Sequence, residues 1–526
     1  MSNLGGLRQS QSVLHTWSGL VVGWVLFLIF IAGTAAYWKV ELTRWMQPEV
    51  GLPADAQTAV AQAQQFLAHT APDAQRWSIE LPGQRSSATT VSWQPQGAPE
   101  RRRGQRNPYQ ATLDANGTPV PVRETRGGTF FYRLHFDLHY VPVLWARWFI
   151  SACSMFMLVA IISGVITHKK IFTDFFTLRR GKGQRTWLDG HNALAVLSLP
   201  FHLMITYTGL ITLMTLYMPW AVDANYPGGR DAFFAELFPR AAKVEPSGVA
   251  ATPPALAAVL RRAELQWGDG HAGSLLVEQP ADTAMRISVR RQAGDRIADA
   301  DDTLTFNARG ELLDTAPARS AAVITRDGMI GLHAARFAPT TMRWLFFLSG
   351  VAGTLMVATG LVLWTVKRRT QLPDPQRPHL GFRVVERLNI GFVAGLPVAM
   401  LAFLWGNRLL PLDVGNRSDA EVKVFFYAWA ACVLHAMLRA PRRGWVEQLA
   451  VAAVLALALP LYNLVAWHGG LFAALAAGDG AKAGIDIGLL LLGTGFAWAA
   501  RKVHRFVPAQ RRARAGSTAA TTGASA

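Results

Sequence analysis

Leu14-His15-Thr16-Trp17-Ser18-Gly19 opens one long apolar run, and His191-Asn192 opens another. In both, a Gly stands eighteen residues beyond the His, Gly33 in the first and Gly209 in the second, and a polar stretch follows. Each polar stretch then closes in the same way. The first closes on Leu138-His139, Arg147-Trp148 and an apolar run ending Ser163-Gly164; the second closes on Leu332-His333, Arg343-Trp344 and a run ending Thr359-Gly360. The chain is therefore built on a duplicated unit, which places like residues at like depths in two copies of one substructure.

Of the 526 residues, 51% are apolar and 16% charged. The apolar ones gather into long segments instead of recurring at amphipathic spacing, the pattern of an integral membrane protein. A hydrocarbon core of ~30 Å takes ~20 helical residues. Candidate spans fall at about 14–38, 145–168, 192–218, 342–366, 388–410, 421–438, 447–467 and 485–503. The first is longer than the apolar core of a secretion signal and is followed by no convincing A-x-A site, so it reads as a retained anchor.

Lys and Arg set the expected orientation. Residues 169–190 hold six, 367–387 six, 439–443 three and 501–526 six, whereas the short connections 411–420 and 468–484 hold one each, Arg417 and Lys482. Both termini are thus expected in the cytoplasm. The net charge of +18 and a pI near 10.5 come mainly from these connections, so nucleic-acid binding is not needed to explain them.

The fold expected is an α-helical membrane protein of about eight transmembrane helices. Residues 1–38 form the tail and first span, 145–218 two spans and their cytoplasmic loop, and 342–370 the fourth span; 380–506 form a four-helix extension and 507–526 a disordered tail. Two periplasmic α+β domains, 39–144 and 219–341, interrupt the first half. Each has a helix-like start, Ala54 to Ala68 or Pro254 to Leu265, and a Gly-turn hairpin signal, Thr112 to Gly117 or Thr305 to Gly310. Their charges nearly balance, and the run Arg101-Arg102-Arg103 with Arg106 reads as a solvated loop. The only cysteines, Cys153 and Cys432, fall inside spans; with no C-x-x-C-H, any haem would be held non-covalently.

The blocks LHTWSGLVVGW, LHYVPVLWARWF, ISGVITHKKIFTDFFTLRRGKGQRTWLDGHN, PFHLMITYTGL and LHAARFAPTTMRWLFFLSGVAGTLMVATGLVLW resemble the PepSY-associated transmembrane helix family over residues 8–370. That family includes bacterial iron-regulated membrane proteins and haem-containing ferric-siderophore reductases of the inner membrane. The resemblance implies a PepSY-like character for both periplasmic domains, and a ferric siderophore in the periplasm as partner. It leaves residues 380–526 without a motif-based role.

Thirteen histidines are present, and depth sorts them. A bis-His b-type haem needs two neutral imidazoles facing each other across an apolar slot, each fixed by a further hydrogen bond. His15 matches His191 and His139 matches His333 in the duplicated unit, so His15/His191 near the cytoplasmic edge and His139/His333 near the outer edge are the candidate ligand pairs for two haems b. His202, deep in the third span, and His168, whose repeat counterpart is Trp364, are further cofactor-binding candidates. His69, His135, His271 and His379 read as surface residues. His435, His468 and His504 fall in the unexplained C-terminal half. Trp38, Trp45, Trp145, Trp148, Trp220 and Trp344 read as an interfacial belt.

The leading functional expectation is a haem-containing inner-membrane oxidoreductase passing electrons outward to a ferric siderophore. No catalytic residue is identifiable from the sequence. The cytoplasmic connections lack G-x-G-x-x-G or a nucleotide-binding βαβ unit, so electrons would come from a separate cytoplasmic reductase or from membrane quinol. Two alternatives stay open. One is a transporter of iron chelates or another small solute, disfavoured by few buried charges in the spans and no clear Gly/Pro-broken pair at corresponding positions. The other is a membrane protein whose outer domains sense or bind a peptide or partner.

Overall fold

A computed structural model describes residues 6–83, 88–98, 107–167, 179, 181, 183–237, 244–268, 270–298, 302–315, 319–466 and 470–506. His168, His468, the arginine run 101–103 with Arg106, and the tail after Arg514 lie outside the described residues. The chain divides into two compact units, residues 1–361 and 362–526.

In the first unit a long helix, α1 (Leu7–Ala36), leads through α2 (Lys39–Met46) to α3 (Ala56–Thr70) and strands β1 (Arg76–Glu80), β2 (Thr89–Gln94), β3 (Gln110–Leu113) and β4 (Pro119–Val120). Then come α4 (Thr129–Asp137), α5 (Val143–Thr167), α6 (Gln184–Leu197) and α7 (Leu199–Tyr217). The second copy runs through α8 (Trp220–Asn225), α9 (Gly229–Leu237) and α10 (Leu256–Trp267) to β5 (Ala272–Glu278), β6 (Arg286–Arg291), β7 (Thr303–Phe306) and β8 (Leu312–Thr315). It ends with α11 (Ala321–Ala334) and α12 (Thr340–Arg369).

Among the described residues, eight helical segments are long and apolar enough to cross a membrane, as expected: α1, α5, α7, α12 and four in the second half of the chain. The third expected span is interrupted. Pro200 has no N–H to continue the ladder and its ring crowds the carbonyl of Val196. Helix α6 accordingly stops at Leu197, and Ser198, at φ −109° and ψ 15°, turns the chain into α7. The matching stretch of α1 has no Pro and is continuous.

The two polar stretches, expected as separate modules, join instead into one eight-stranded antiparallel sheet in the order β4-β3-β2-β1-β5-β6-β7-β8. Strand β1 pairs with both β2 and β5. Each four-stranded half buries one face only, as the alternation in β1 shows: Trp77 and Ile79 are buried while their neighbours are partly exposed or exposed. Across the seam, Trp77 and Ile79 meet Val277 and Leu275, and α3 and α10 cover one common core. Gln64 of α3 ties the halves further, donating to Pro254 O at 3.0 Å and accepting from Leu256 N, at the start of α10, at 2.8 Å. The two hairpins are closed alike. Asp114 Oδ1 accepts from the N–H of Asn116 and Thr118, and Asn307 Oδ1 from those of Arg309 and Glu311; Gly117 and Gly310 supply the left-handed residue, at φ 79° and 70°.

The second unit contains α13 (Leu380–Val393) and α14 (Gly395–Leu409), which make one span broken near Pro397, then α15 (Arg417–Leu438), α16 (Pro441–Ala466), α17 (Gly470–Ala476) and α18 (Gly480–Arg505). A buried polar ladder links its helices. Arg417 and Asn407 both donate to Glu421 Oε1, Arg408 donates to Asn407 Oδ1 and Asn463 Oδ1, and Asn463 donates to Asp486 Oδ1. Its charges balance, Arg408 and Arg417 against Glu421 and Asp486, as burial in a membrane favours.

The seam makes the sheet one cooperative body. Replacing Ile79 by Ala is expected to cost about 2–5 kcal/mol and to raise amide hydrogen exchange in β5 and β6 as well as in β1 and β2. Acceleration confined to β1 and β2 would show two independent modules.

Candidate functional site: paired imidazoles in the duplicated bundle

Four histidines of the first unit are held in one and the same way. His15 of α1 puts Nδ1 at 2.8 Å from Ala160 O of α5, and His191 of α6 puts Nδ1 at 2.9 Å from Met356 O of α12. His135 of α4 meets Ile29 O of α1 at 2.7 Å, and His333 of α11 meets Ile205 O of α7 at 3.0 Å. In each case the residue four positions beyond the accepting carbonyl is glycine: Gly164, Gly360, Gly33 and Gly209. In an α-helix the side chain at i+4 leans back over the carbonyl of residue i, so a glycine there leaves that oxygen open to a ring from a neighbouring element. The fit is close. A Cβ on Gly33 or Gly209 would stand 2.7 or 2.8 Å from Cε1 of His135 or His333, and one on Gly164 or Gly360 would stand 3.1 Å from Cε1 of His15 or His191.

Because Nδ1 gives its proton to a carbonyl, the lone pair of each neutral ring lies on Nε2, the tautomer that ligates a metal. Hydroxyls reinforce the arrangement. Ser163 and Thr359, at matching repeat positions, donate to Ala160 O and Met356 O, and Thr208 Oγ1 lies 3.2 Å from His333 Nδ1.

The rings meet in pairs. His15 and His191 have centroids 6.4 Å apart, and His135 and His333 6.0 Å apart. Two metal–imidazole bonds of about 2 Å each, added to the reach from each ring centre to its own nitrogen, span about 6 Å, so both pairs fit bis-His ligation of one iron. Fourteen residues of α1, about 21 Å of helix, separate His15 from Ile29, which sets the pairs at two levels. Burial lowers the pKa of His135 and carries that of His333 down to about 4, the His135 ring adding to the effect on His333. Both rings are thus neutral at pH 7, as ligation requires.

The structure brings His15 to His191, as the repeat suggests, but sets His135 and not His139 against His333. His139 lies in the turn after α4, between the left-handed residues Leu138 and Tyr140, with its ring against Phe130 and Tyr140. His135, read from sequence as a surface residue, stands in the last turn of α4 as His333 stands in the last turn of α11. The signal was present as a second Leu-His dipeptide, Leu134-His135, lying as close to the repeat register as Leu138-His139. What distinguishes the two is helix continuation: α4 ends at Asp137, which Arg133 and Arg147 clamp at 3.0 and 2.8 Å. His202 is buried in α7, at 1% exposure.

Other histidines have local roles. His379 caps α13 by accepting from Phe382 N, His435 bonds Glu447, and His271 is exposed beside Asp295. The tryptophan belt needs one correction, since Trp45 is 2% exposed and belongs to the core under α2. Trp145 and Trp220 are exposed, and Arg343, which donates to Tyr37 O and Glu41, stacks on Trp38.

Gly33→Ala and Gly209→Ala are each expected to destabilise the detergent-solubilised protein by ~1–3 kcal/mol through overpacking, and to couple in the double variant because their histidines touch. Gly19→Ala, whose Cβ meets nothing, should instead leave stability unchanged or raise it by up to about 1 kcal/mol. Thermal unfolding of the four variants against the wild type checks this.

An uncharacterised protein of Pseudomonas aeruginosa is 27% identical over 318 residues, covering 56% of this chain and 75% of the relative. The family described as the PepSY-associated TM region matches residues 12–367, a stretch that takes in the whole duplicated bundle, both ring pairs and the shared sheet. The chain belongs to the PepSY-associated TM region family, as a multi-pass membrane protein with a further four-span extension.

Proposed function

We propose that this protein is a haem-bearing oxidoreductase of the bacterial inner membrane, with both termini cytoplasmic, that carries electrons outward to reduce ferric siderophores during iron acquisition. The observation that carries this reading is the two facing, identically anchored imidazole pairs at two levels of one bundle. A single structural histidine needs no facing partner, and a transport path needs neither pair. His15 and His191 would hold a b-type haem at the level near the start of α1, and His135 and His333 a second at the level of the sheet. Bound there, haem supplies a reversible one-electron carrier.

The chain's own contribution is positional. The four carbonyls fix tautomer and ring orientation, the four glycines clear the space, and the apolar helices exclude water. The short connections 169–190 and 367–387, which follow the spans at the ends away from the sheet, hold six Lys and Arg each, so the His135/His333 level faces the periplasm in this reading, where the acceptor would be met. Hydroxamate and catecholate oxygens are hard ligands that favour Fe(III) over Fe(II), so reduction loosens the iron. Electrons enter from a cytoplasmic reductase or membrane quinol, since the chain carries no nucleotide-binding motif.

Sealed vesicles given a reductant on the cytoplasmic side and a ferric hydroxamate outside test this. His135→Ala and His333→Ala are expected to lower chelate reduction at least ten-fold, while His139→Ala retains it. Undiminished reduction in the first two would defeat the proposal.

A further inference from the structure

The two segments that lead from the sheet back into the bundle are rich in arginine. Residues 121–149 hold four arginines against Glu124 and Asp137, residues 316–345 hold four against Asp327, and neither holds a lysine. The rest of the second polar stretch has the opposite sign, since residues 219–315 carry fourteen acidic side chains against ten basic ones. The short outer connections 411–420 and 468–484 hold one Lys or Arg each. The arginine band thus departs from the charge bias seen elsewhere on that side.

Each segment builds the same small device, one buried carboxylate holding two guanidiniums. Asp137 accepts from Arg133 Nη1 at 3.0 Å and from Arg147 Nε at 2.8 Å; Asp327 accepts from Arg319 Nη1 at 2.7 Å and from Arg326 Nη1 at 2.9 Å. Each set therefore keeps one positive charge. The guanidiniums stay partly open to solvent, with side-chain exposures of 47% and 32% for Arg133 and Arg147 and of 21% and 18% for Arg319 and Arg326. Both carboxylates stand on the short helices, α4 and α11, whose rings face each other at 6.0 Å. The two copies reach this charge with the carboxylate at different places, two residues after His135 and six before His333. What they share is the excess charge beside the sheet-side pair, not one inherited contact. Arginine also suits oxygen anions better than lysine does, since its planar fork pairs with a carboxylate and keeps its charge at every working pH.

Resting on the reductase reading above, we propose that the two arginine sets form the landing surface for the acceptor and select a ferric chelate that carries net negative charge. An excess of one sign beside a low-dielectric bundle raises the local concentration of the opposite sign. A chelate with pendant carboxylates is drawn to the level of the His135/His333 pair, and a cationic chelate of the same core is held off.

Steady-state reduction by the purified full-length holoprotein in non-ionic detergent tests this. The probes are two ferric trihydroxamates that share one iron-binding core, one bearing pendant carboxylates and the other pendant amines. At low ionic strength KM is expected to be about ten-fold lower for the carboxylate chelate, and the difference to shrink as salt shortens the screening length to ~10 Å at 0.1 M. Arg133→Gln leaves Asp137 its bond to Arg147. It should raise KM for the carboxylate chelate several-fold and lower it for the amine chelate, with kcat and haem content held. Arg133→Lys, which keeps the charge, should restore most of the preference. Equal KM values for the two chelates in the wild type, or an Arg133→Gln variant that changes both alike, would overturn the proposal. So would loss of haem in that variant, which assigns the guanidinium to the cofactor. Wild-type protein that reduces neither chelate would instead remove the reductase reading on which this rests.

Discussion

Everything at the centre of the first unit depends on a backbone carbonyl that has a second hydrogen bond to accept. In a helix that oxygen already serves the N–H four residues on, and the side chain at i+4 normally covers what remains. Glycine at i+4 uncovers it, and an imidazole N–H from a neighbouring element takes the place of the missing side chain. In an apolar bundle a ring N–H without a partner is costly, so the glycine both admits the ring and satisfies it. Tautomer, orientation and distance of approach follow from that one bond. The cost of Gly inside a helix, about 1 kcal/mol against Ala, is offset by the packing of the ring.

Duplication then produces the pairing. Each copy supplies one histidine at the start of a membrane helix and one in the last turn of the short helix before the next span. Two copies set like beside like, His15 with His191 and His135 with His333. The same operation explains the sheet. Joining β1 to β5 makes a common core under α3 and α10. Sheet and bundle are thus two results of one association, and the short helices that carry His135 and His333 connect them.

Much of this was legible in the sequence. Apolar segments gave the number of spans because the bilayer length is fixed, and the His-to-Gly spacing exposed the repeat because the anchoring device repeats with it. What stayed hidden depends on tertiary geometry. Leu134-His135 and Leu138-His139 fit the repeat register equally well, and only the end of α4 at Asp137 selects the first. The pairing of β1 with β5 joins strands some two hundred residues apart, which local alternation does not report. Glycine at i+4 was visible as Gly33, Gly209, Gly164 and Gly360, but its purpose appears only when the partner ring is in place.

Low-temperature electron paramagnetic resonance of the oxidised, purified protein, with haem quantified per chain, tests the central claim most directly. Two facing imidazole pairs give two low-spin ferric centres, each with bis-imidazole character, at a stoichiometry of two haems per chain. Folded protein with no low-spin haem, or with high-spin centres alone, would contradict it.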